Sequence, residues 1–83
     1  MAVLMYPVAT EKAVGMIEKG NVIEYIVDMR ASKTEVRKEF ERIFAVKIDR
    51  IGIVHTPDNR KKAIIKIGKE FKASDIALRL KLI

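Results

Sequence analysis

The chain of 83 residues contains no cysteine and no tryptophan, and only two prolines and four glycines. Without cysteine it can form neither a disulfide framework nor a thiolate metal site, and the absence fits a reducing compartment. No apolar run approaches the roughly 20 residues of a membrane-spanning helix, and the first residues lack the layout of a signal peptide. We therefore expect a soluble cytoplasmic protein without membrane insertion.

Groups that could perform catalysis are equally scarce. The one histidine, His55, has no serine close to it in sequence, and Ser32 and Ser74 are better explained as helix caps. Neither a metal-ligand set nor a glycine-rich phosphate loop is present. The sequence thus predicts that the protein is not an enzyme, and that it has no catalytic residue, metal, cofactor or small-molecule substrate.

The chain does contain positive charge concentrated in one place. Hydrophobic residues make up 49% and charged residues 34% of the chain, which is typical of one globular domain spanning residues 1–83. The formal net charge is +6, and residues 60–72 carry six cations against the single acid Glu70. Because opposite charges normally intersperse on a surface without a charged ligand, this segment indicates an anionic partner.

The apolar pattern predicts an α+β fold, in which helices pack on a mainly antiparallel four-stranded sheet in the order β-α-β-α-β-β-α. The last two strands form a hairpin around the turn at residues 56–60. Apolar residues before and after Asp49 and Arg50 are out of phase, which predicts a β-bulge there. The four strands, of which the first is an edge strand and the second a central one, are predicted at residues 3–7, 22–28, 46–55 and 62–67.

Capping residues and helical periodicity predict three helices, at residues 10–19, 32–44 and 74–83. Thr10 is expected to cap the first helix and Gly20 to terminate it. Ser32 and Glu35 have the spacing of a capping box at the start of the second, and Ser74 is expected to cap the third. The side chains expected to face the core are Val36, Phe40, Ile43 and Phe44 in the second helix, and Ile76, Leu80 and Ile83 in the third.

Nucleic acid is the anionic partner that these residues favour. The cations Arg60, Lys61, Lys62 and Lys66 follow the hairpin turn, and a second basic group surrounds the start of the central helix. Stacking of single-stranded bases is not expected, because the basic-glycine-aromatic strand motif of such proteins is missing. Recognition of folded RNA by shape and phosphate contacts remains. Two alternatives remain open. The hairpin cations could serve only to prevent aggregation through the exposed edge of the hairpin, and the helix cations could be ordinary solvated surface charges.

Three segments resemble the large-subunit ribosomal protein L23 family in its archaeal form. YPVATEKAVGMIEKGN is similar to the opening P-x-x-T-E-K-A segment of that family. IVDMRASKTEVRKEFERIFAVKIDRI is similar to its helix with the following G-V-K-V strand, and RKKAIIKI to its basic hairpin. The three segments occur in the family's order and cover nearly the whole chain.

This resemblance implies a ribosome-bound structural constituent of the large subunit that binds large-subunit ribosomal RNA near the polypeptide tunnel exit. It also implies contacts with neighbouring ribosomal proteins and a share in the docking site for signal recognition particle and nascent-chain chaperones. Glu11 and Glu18 are the candidates for partner docking. From charge pattern and resemblance together, the expected RNA-binding residues are Lys12, Arg30, Lys33, Arg37, Lys38, His55, Thr56, Asn59, Arg60, Lys61, Lys62 and Lys66.

The chain departs from the family pattern at several positions. Residues 52–54 read Gly-Ile-Val where Asn-Thr-Leu is usual, so no role of that asparagine transfers. His55 stands where an apolar residue is common, and Asn59 and Ala45 stand where glycine is common. The short hairpin turn and the lack of a basic N-terminal tail favour the archaeal type, and argue against a hairpin that reaches into the tunnel.

Our hypothesis from the sequence is therefore a non-catalytic ribosomal RNA-binding protein. The leading alternative is a stand-alone protein-interaction module whose basic hairpin binds an acidic partner. A third alternative is a small phosphatase-like enzyme of similar α+β shape.

Overall fold

The computed structural model describes residues 3–81, which form three helices and one four-stranded sheet. The strands are β1 (Leu4–Pro7), β2 (Val22–Val27), β3 (Ile48–His55) and β4 (Lys61–Ile67). The helices are α1 (Glu11–Gly20), α2 (Lys33–Phe44) and α3 (Ala73–Arg79). The order β1-α1-β2-α2-β3-β4-α3 confirms the predicted α+β fold. None of the helices in this part of the chain is long and apolar enough to cross a membrane.

The sheet has the strand order β1-β2-β4-β3, and each neighbouring pair is antiparallel. β1 is therefore an edge strand and β2 a central one, as predicted, and β3 and β4 form the predicted hairpin. Val27, at the end of β2, is the cross-strand partner of Lys61, at the start of β4. The tip of the hairpin consequently lies at the same end of the sheet as the exit from β2.

Cross-strand register assigns the side chains to two faces of the sheet, because partners in an antiparallel pair point to the same side. On one face Tyr25 pairs with Ala63 and Ile23 with Ile65, and all four are buried. Side chains from all three helices join the hydrophobic cluster on this face. We call the opposite face the open face; its central positions are Val22, Glu24, Ile26, Lys62, Ile64 and Lys66.

The helix α2 has the predicted capping box. The Ser32 hydroxyl accepts a hydrogen bond from the Glu35 N–H at 3.1 Å, and the Glu35 carboxylate accepts one from the Ser32 N–H at 3.1 Å. Val36, Phe40 and Phe44 are buried as predicted. Ile43 is 41% exposed, so its predicted burial is wrong. The rings of Phe40 and Phe44 pack against each other with centroids 4.6 Å apart. The buried face of the helix therefore runs through Val36, Phe40 and Phe44, and Ile43 lies outside it.

The predicted β-bulge is present in β3. The β3–β4 register shifts between Ile48 and Arg50. The strand begins two residues later than predicted, at Ile48, whose N–H donates to the Glu41 carboxylate at 2.9 Å. This side-chain contact holds the chain as it enters the strand.

Asn21, rather than Gly20, ends α1. Thr10 caps its start as predicted, accepting a hydrogen bond from the Ala13 N–H at 3.2 Å. At the other end Gly20 is still helical, and Asn21 takes the left-handed conformation with φ of 55°. Asparagine is the residue after glycine that most readily adopts this conformation.

The start of α3 also differs from the prediction. Ser74 does not cap it, because the helix begins at Ala73 and its N-cap position is Lys72, which makes no side-chain cap bond. The Ala73 N–H instead donates to the side-chain oxygen of Asn21 at 2.6 Å, so a distant residue replaces the local cap. Ile76 is buried as predicted and Leu80 packs partly buried against the core. The predicted contact of Ile83 lies outside the described residues.

Candidate nucleic-acid interface

The turn between β3 and β4 is held by a dense set of short-range hydrogen bonds. The Thr56 N–H donates to the Arg60 carbonyl at 2.9 Å, and the Asn59 N–H donates to the Thr56 carbonyl at 3.0 Å. The Thr56 hydroxyl accepts from the Arg60 N–H at 3.1 Å and contacts the Asp58 carboxylate. Asn59 is left-handed, with φ of 62°. Thr56 and Asn59 thus determine the shape of the turn. Because the turn is held by these bonds, the backbone of the cations that follow has a defined position.

Two cations at the hairpin tip are attached to neighbouring elements. Arg60 hydrogen-bonds the Tyr6 hydroxyl on β1, and its guanidinium carbon lies 5.7 Å from the centroid of the Tyr6 ring. The Lys61 ammonium donates to the Ala31 carbonyl, just before α2, at 2.6 Å. These contacts bring β1, the hairpin and the entrance to α2 together at one end of the sheet.

The second basic group predicted from the sequence divides in the structure. Arg30 joins the hairpin cations, since it lines the same cleft as Arg60 and Lys61; we call these three residues the tip cluster. Lys33 is exposed at the first residue of α2. Arg37 lies further along, where it donates to the Ile48 carbonyl at 2.9 Å and lies 3.7 Å from the Glu41 carboxylate.

Lys38 is exposed beside acidic neighbours. It lines a shallow groove together with Glu35, Glu39 and Arg42, and a short ion pair joins the last two. The contacts of Arg37 and the acids around Lys38 match the alternative of ordinary helix ion pairing more closely than a free basic patch does.

The remaining hairpin cations lie on the open face. The Lys62 ammonium lies 2.9 Å from the Glu24 carboxylate, and both side chains are only partly exposed, so the pair leaves Lys62 partly neutralised. Lys66 is exposed, and its cross-strand neighbour on β3 is Arg50. His55 is exposed at the end of β3, opposite Lys61. The six-cation segment is therefore divided between the tip, the open face and the segment between β4 and α3, which carries Lys69 and Lys72.

The first helix starts close to the tip. Thr10, Tyr6, Thr56 and Arg60 line one groove, which joins the start of α1 to the hairpin turn. Lys12 and Glu11 are exposed in the first turn that follows. Glu18 is exposed two turns further, on the same side of the helix as Glu11, because residues seven apart nearly eclipse.

Two titratable groups have shifted pKa values. The Arg30 N–H bond to the Asp28 carboxylate, at 2.8 Å, and the Arg30 side chain both lower the pKa of Asp28. Tyr25 is part of the hydrophobic core, and its burial raises the pKa of its hydroxyl. Within residues 3–81 no group of three carboxylate or imidazole side chains could hold a metal ion. The arrangement can bind an anion by charge and hydrogen bonding.

Sequence reasoning missed three residues of this region. Tyr6 meets Arg60 across 54 residues, Glu24 neutralises Lys62 from the neighbouring strand, and Arg50 lies opposite Lys66. An aromatic residue just before Pro7 on the predicted edge strand was a usable signal for Tyr6. The other two contacts depend on the register between strands, which the sequence does not specify.

Comparisons with known proteins give one consistent result. The sequence model of the family described as Ribosomal protein L23 matches residues 2–78. The chain is also similar to the Large ribosomal subunit protein uL23 of Methanothermobacter thermautotrophicus, with 42% identity over 79 residues. That alignment covers 95% of this chain and 92% of the relative.

Proposed function

Since the chain belongs to the ribosomal protein L23 family, we propose that its tip cluster binds large-subunit ribosomal RNA near the exit of the polypeptide tunnel. Membership makes the protein a structural constituent of the large ribosomal subunit, ribosome-bound in the cytoplasm and not an enzyme. The 42% identity to the relative from Methanothermobacter thermautotrophicus confirms the archaeal type expected from the sequence.

The observation that carries the RNA proposal is the tip cluster. Arg30, Arg60 and Lys61 come from two segments of the chain and line one cleft. Arg60 and Lys61 are already held by Tyr6 and by the Ala31 carbonyl, so less side-chain entropy is lost when they contact a phosphate. An arginine can bind a phosphate through two parallel hydrogen bonds, and the lysine adds a point charge.

We assign a second role to α1. Glu11 and Glu18 are exposed on one side of this helix, and we propose that they dock signal recognition particle and nascent-chain chaperones through basic groups of those partners. Neighbouring ribosomal proteins are the remaining partners. Acids on a helix surface support this proposal, because charge complementarity sets partner choice and association rate.

Charge reversal at the tip tests the RNA proposal. We expect Arg60→Glu with Lys61→Glu to weaken binding to purified large-subunit ribosomal RNA by at least about tenfold. The slope of log affinity against log salt should also fall by about 1.4–1.8, since two phosphate contacts at about 0.7–0.9 each are lost. The measurement is a binding titration repeated at several salt concentrations between roughly 50 and 300 mM, a range over which electrostatic RNA binding weakens measurably.

Lys69→Glu with Lys72→Glu is the matched control. It makes the same change in net charge at two exposed residues outside the tip, and circular dichroism melts check that both variants fold. The control should keep most of the affinity and the salt slope. If the two double variants weaken RNA binding equally, the tip is not the RNA site. If an acidic protein surface binds more tightly than RNA, the interaction-module alternative replaces the proposal.

A further inference from the structure

A cleft of about 490 Å³ opens at the hairpin tip, beside the edge strand β1. We call it the tip cleft; its lining includes Met5, Tyr6, Ile26, Met29, Arg30 and Arg60. Its volume falls within the range of roughly 300–1,000 Å³ that is usual for small-molecule sites. Charge neutralisation of a folded RNA requires no cleft, so the side chains that line this one decide whether it can bind a ligand.

The walls of the tip cleft are large apolar side chains that remain in contact with solvent. Met5 is 54% exposed, Met29 is 44% exposed and Tyr6 is 40% exposed, while Ile26 beneath them is buried. Apolar side chains grouped around one opening mark a binding site more often than scattered ones do. Thioether side chains adapt to a ligand and pack favourably against aromatic rings. These walls suit a flat apolar group.

Tyr6 and Arg60 form a ready-made stacking element. The Arg60 guanidinium hydrogen-bonds the Tyr6 hydroxyl, and its carbon lies 5.7 Å from the ring centroid, so the two planar groups adjoin at the hydroxyl edge of the ring. Both groups are planar, and proteins use both to stack on unpaired nucleobases. The strand motif whose absence argued against stacking in the sequence is not needed for one base, because Tyr6 and Arg60 come from different strands. Because the two are already joined, neither must be ordered when a base arrives.

The rim of the tip cleft is positively charged. The tip cluster supplies three cations. Two carboxylates lie beside them: that of Asp28, which accepts hydrogen bonds from Arg30, and that of Asp58, which lies 3.2 Å from the Arg60 guanidinium. Lys61 uses one of its three donors on the Ala31 carbonyl and keeps two for a ligand. A ligand that fits both features has a planar ring and an anionic group attached close to it. A nucleotide has this chemistry.

We propose that the tip cleft binds a single unpaired nucleotide extruded from an RNA helix, and this proposal rests on the RNA-binding function proposed above. The base packs between the Tyr6–Arg60 pair and the two methionines, and its phosphate lies on Arg30 and Lys61. The tip thereby distinguishes RNA with an unpaired base from continuous duplex, which charge alone cannot do. An acidic peptide with an aromatic side chain shares part of this chemistry, but it lacks an anion next to each ring.

The probes are two RNA stem-loops with the same stem sequence. One has a single bulged nucleotide in its stem, and the other has a fully paired stem. We expect the bulged RNA to bind at least about fivefold more tightly, as stacking of one base on an aromatic residue warrants. With methyl-labelled methionine, the NMR signals of Met5 and Met29 should shift on addition of the bulged RNA only. Met16, on α1, is an internal control and should not move.

Tyr6→Leu should reduce the affinity for bulged RNA to that for paired RNA. Because it also frees Arg60, paired RNA should bind slightly more weakly. Tyr6→Phe loses the same hydrogen bond but keeps the ring, so it should weaken both RNAs slightly and keep most of the preference for bulged RNA. The inference is overturned if the two RNAs bind equally, if Tyr6→Leu weakens both alike, or if the Met5 and Met29 signals do not move. It is also overturned if an acidic aromatic peptide binds the tip cleft more tightly than the bulged RNA.

The same data distinguish this failure from that of the proposed function. If both RNAs bind equally and Arg60→Glu with Lys61→Glu abolishes binding of both, the tip contacts phosphates and the base-binding inference alone is lost. If neither RNA binds the unaltered protein but purified large-subunit ribosomal RNA does, the base-binding inference alone is lost. If none of the three binds, the RNA-binding function is contradicted as well.

Discussion

Ala45 shows how a single backbone conformation affects stability. It ends α2 with φ of 54° and ψ of 45°, and its side chain is exposed. This left-handed conformation costs a residue with a Cβ roughly 1–2 kcal/mol, whereas glycine loses about 0.4–1 kcal/mol more conformational entropy on folding. We therefore expect Ala45→Gly to raise the free energy of unfolding by about 0.5–1 kcal/mol, measured by chemical denaturation.

Gly15→Ala is the companion variant for this prediction. Gly15 lies inside α1, where a Cβ would meet no atom within 4 Å, so alanine should stabilise the helix by about 1 kcal/mol. The two substitutions are opposite in chemistry and should act in the same direction. A loss of stability in Ala45→Gly would contradict the prediction, because it would show that the left-handed conformation costs alanine less than glycine loses in conformational entropy.

At the level of elements, Asn21 joins three that are distant in sequence. It caps α1, its amide donates to the Ile67 carbonyl of β4 at 3.2 Å and to the Phe71 carbonyl at 3.0 Å, and its oxygen accepts from Ala73 at the start of α3. Each bond contributes about 0.5–1.5 kcal/mol. We expect Asn21→Gly, which keeps the backbone conformation, to lower the free energy of unfolding by about 2–4 kcal/mol.

Asn59→Gly is the control for that experiment. Asn59 has nearly the same backbone conformation, with φ of 62°, but its side chain is exposed, so water can replace any bond that it makes. Its replacement should change the free energy of unfolding by less than about 0.5 kcal/mol. Equal losses in the two variants would mean that asparagine acts only through its backbone preference, and that the three bonds of Asn21 contribute nothing.

Asn21 also marks the limit of prediction from the sequence. Elements defined by local signals were predicted well: α2 by its capping box, the β3–β4 hairpin by its turn, and the bulge by a change of phase. Ser74 was wrongly assigned as a cap because the true acceptor lies 52 residues from Ala73. A contact of that length depends on how elements pack, which no local pattern encodes.

The candidate site follows the same rule. The clustering of Arg60, Lys61 and Lys62 was visible in the sequence, but which of them is neutralised was not. Lys62 is paired with Glu24 only because β2 and β4 are neighbours, and Tyr6 reaches Arg60 only because β1 lies at the edge beside them. Sequence charge therefore identified the segment, and sheet order determined which of its side chains are available.

At the scale of the whole molecule, the residues proposed for RNA binding at the tip and those proposed for partner docking lie on different elements. The tip cluster lies at the hairpin end of the sheet, while the acids proposed for partner docking follow one side of α1. If each set serves the partner that we propose for it, changes in one should leave the other function intact. Such independence would distinguish a domain with two separate binding sites from one with a single surface that binds any charged molecule.

Neutralising the acids of α1 tests that independence. We expect Glu11→Gln with Glu18→Gln to weaken binding of signal recognition particle to ribosomes about 3–10-fold, since each exposed ion pair contributes about 0.2–1 kcal/mol. Incorporation of the variant into large subunits, measured by co-sedimentation, should remain unchanged. Glu70→Gln with Asp75→Asn removes the same charge from exposed positions outside α1 and should alter neither. Loss of incorporation in the α1 variant would contradict the separation, because it would place these acids in the contact with RNA or neighbouring proteins.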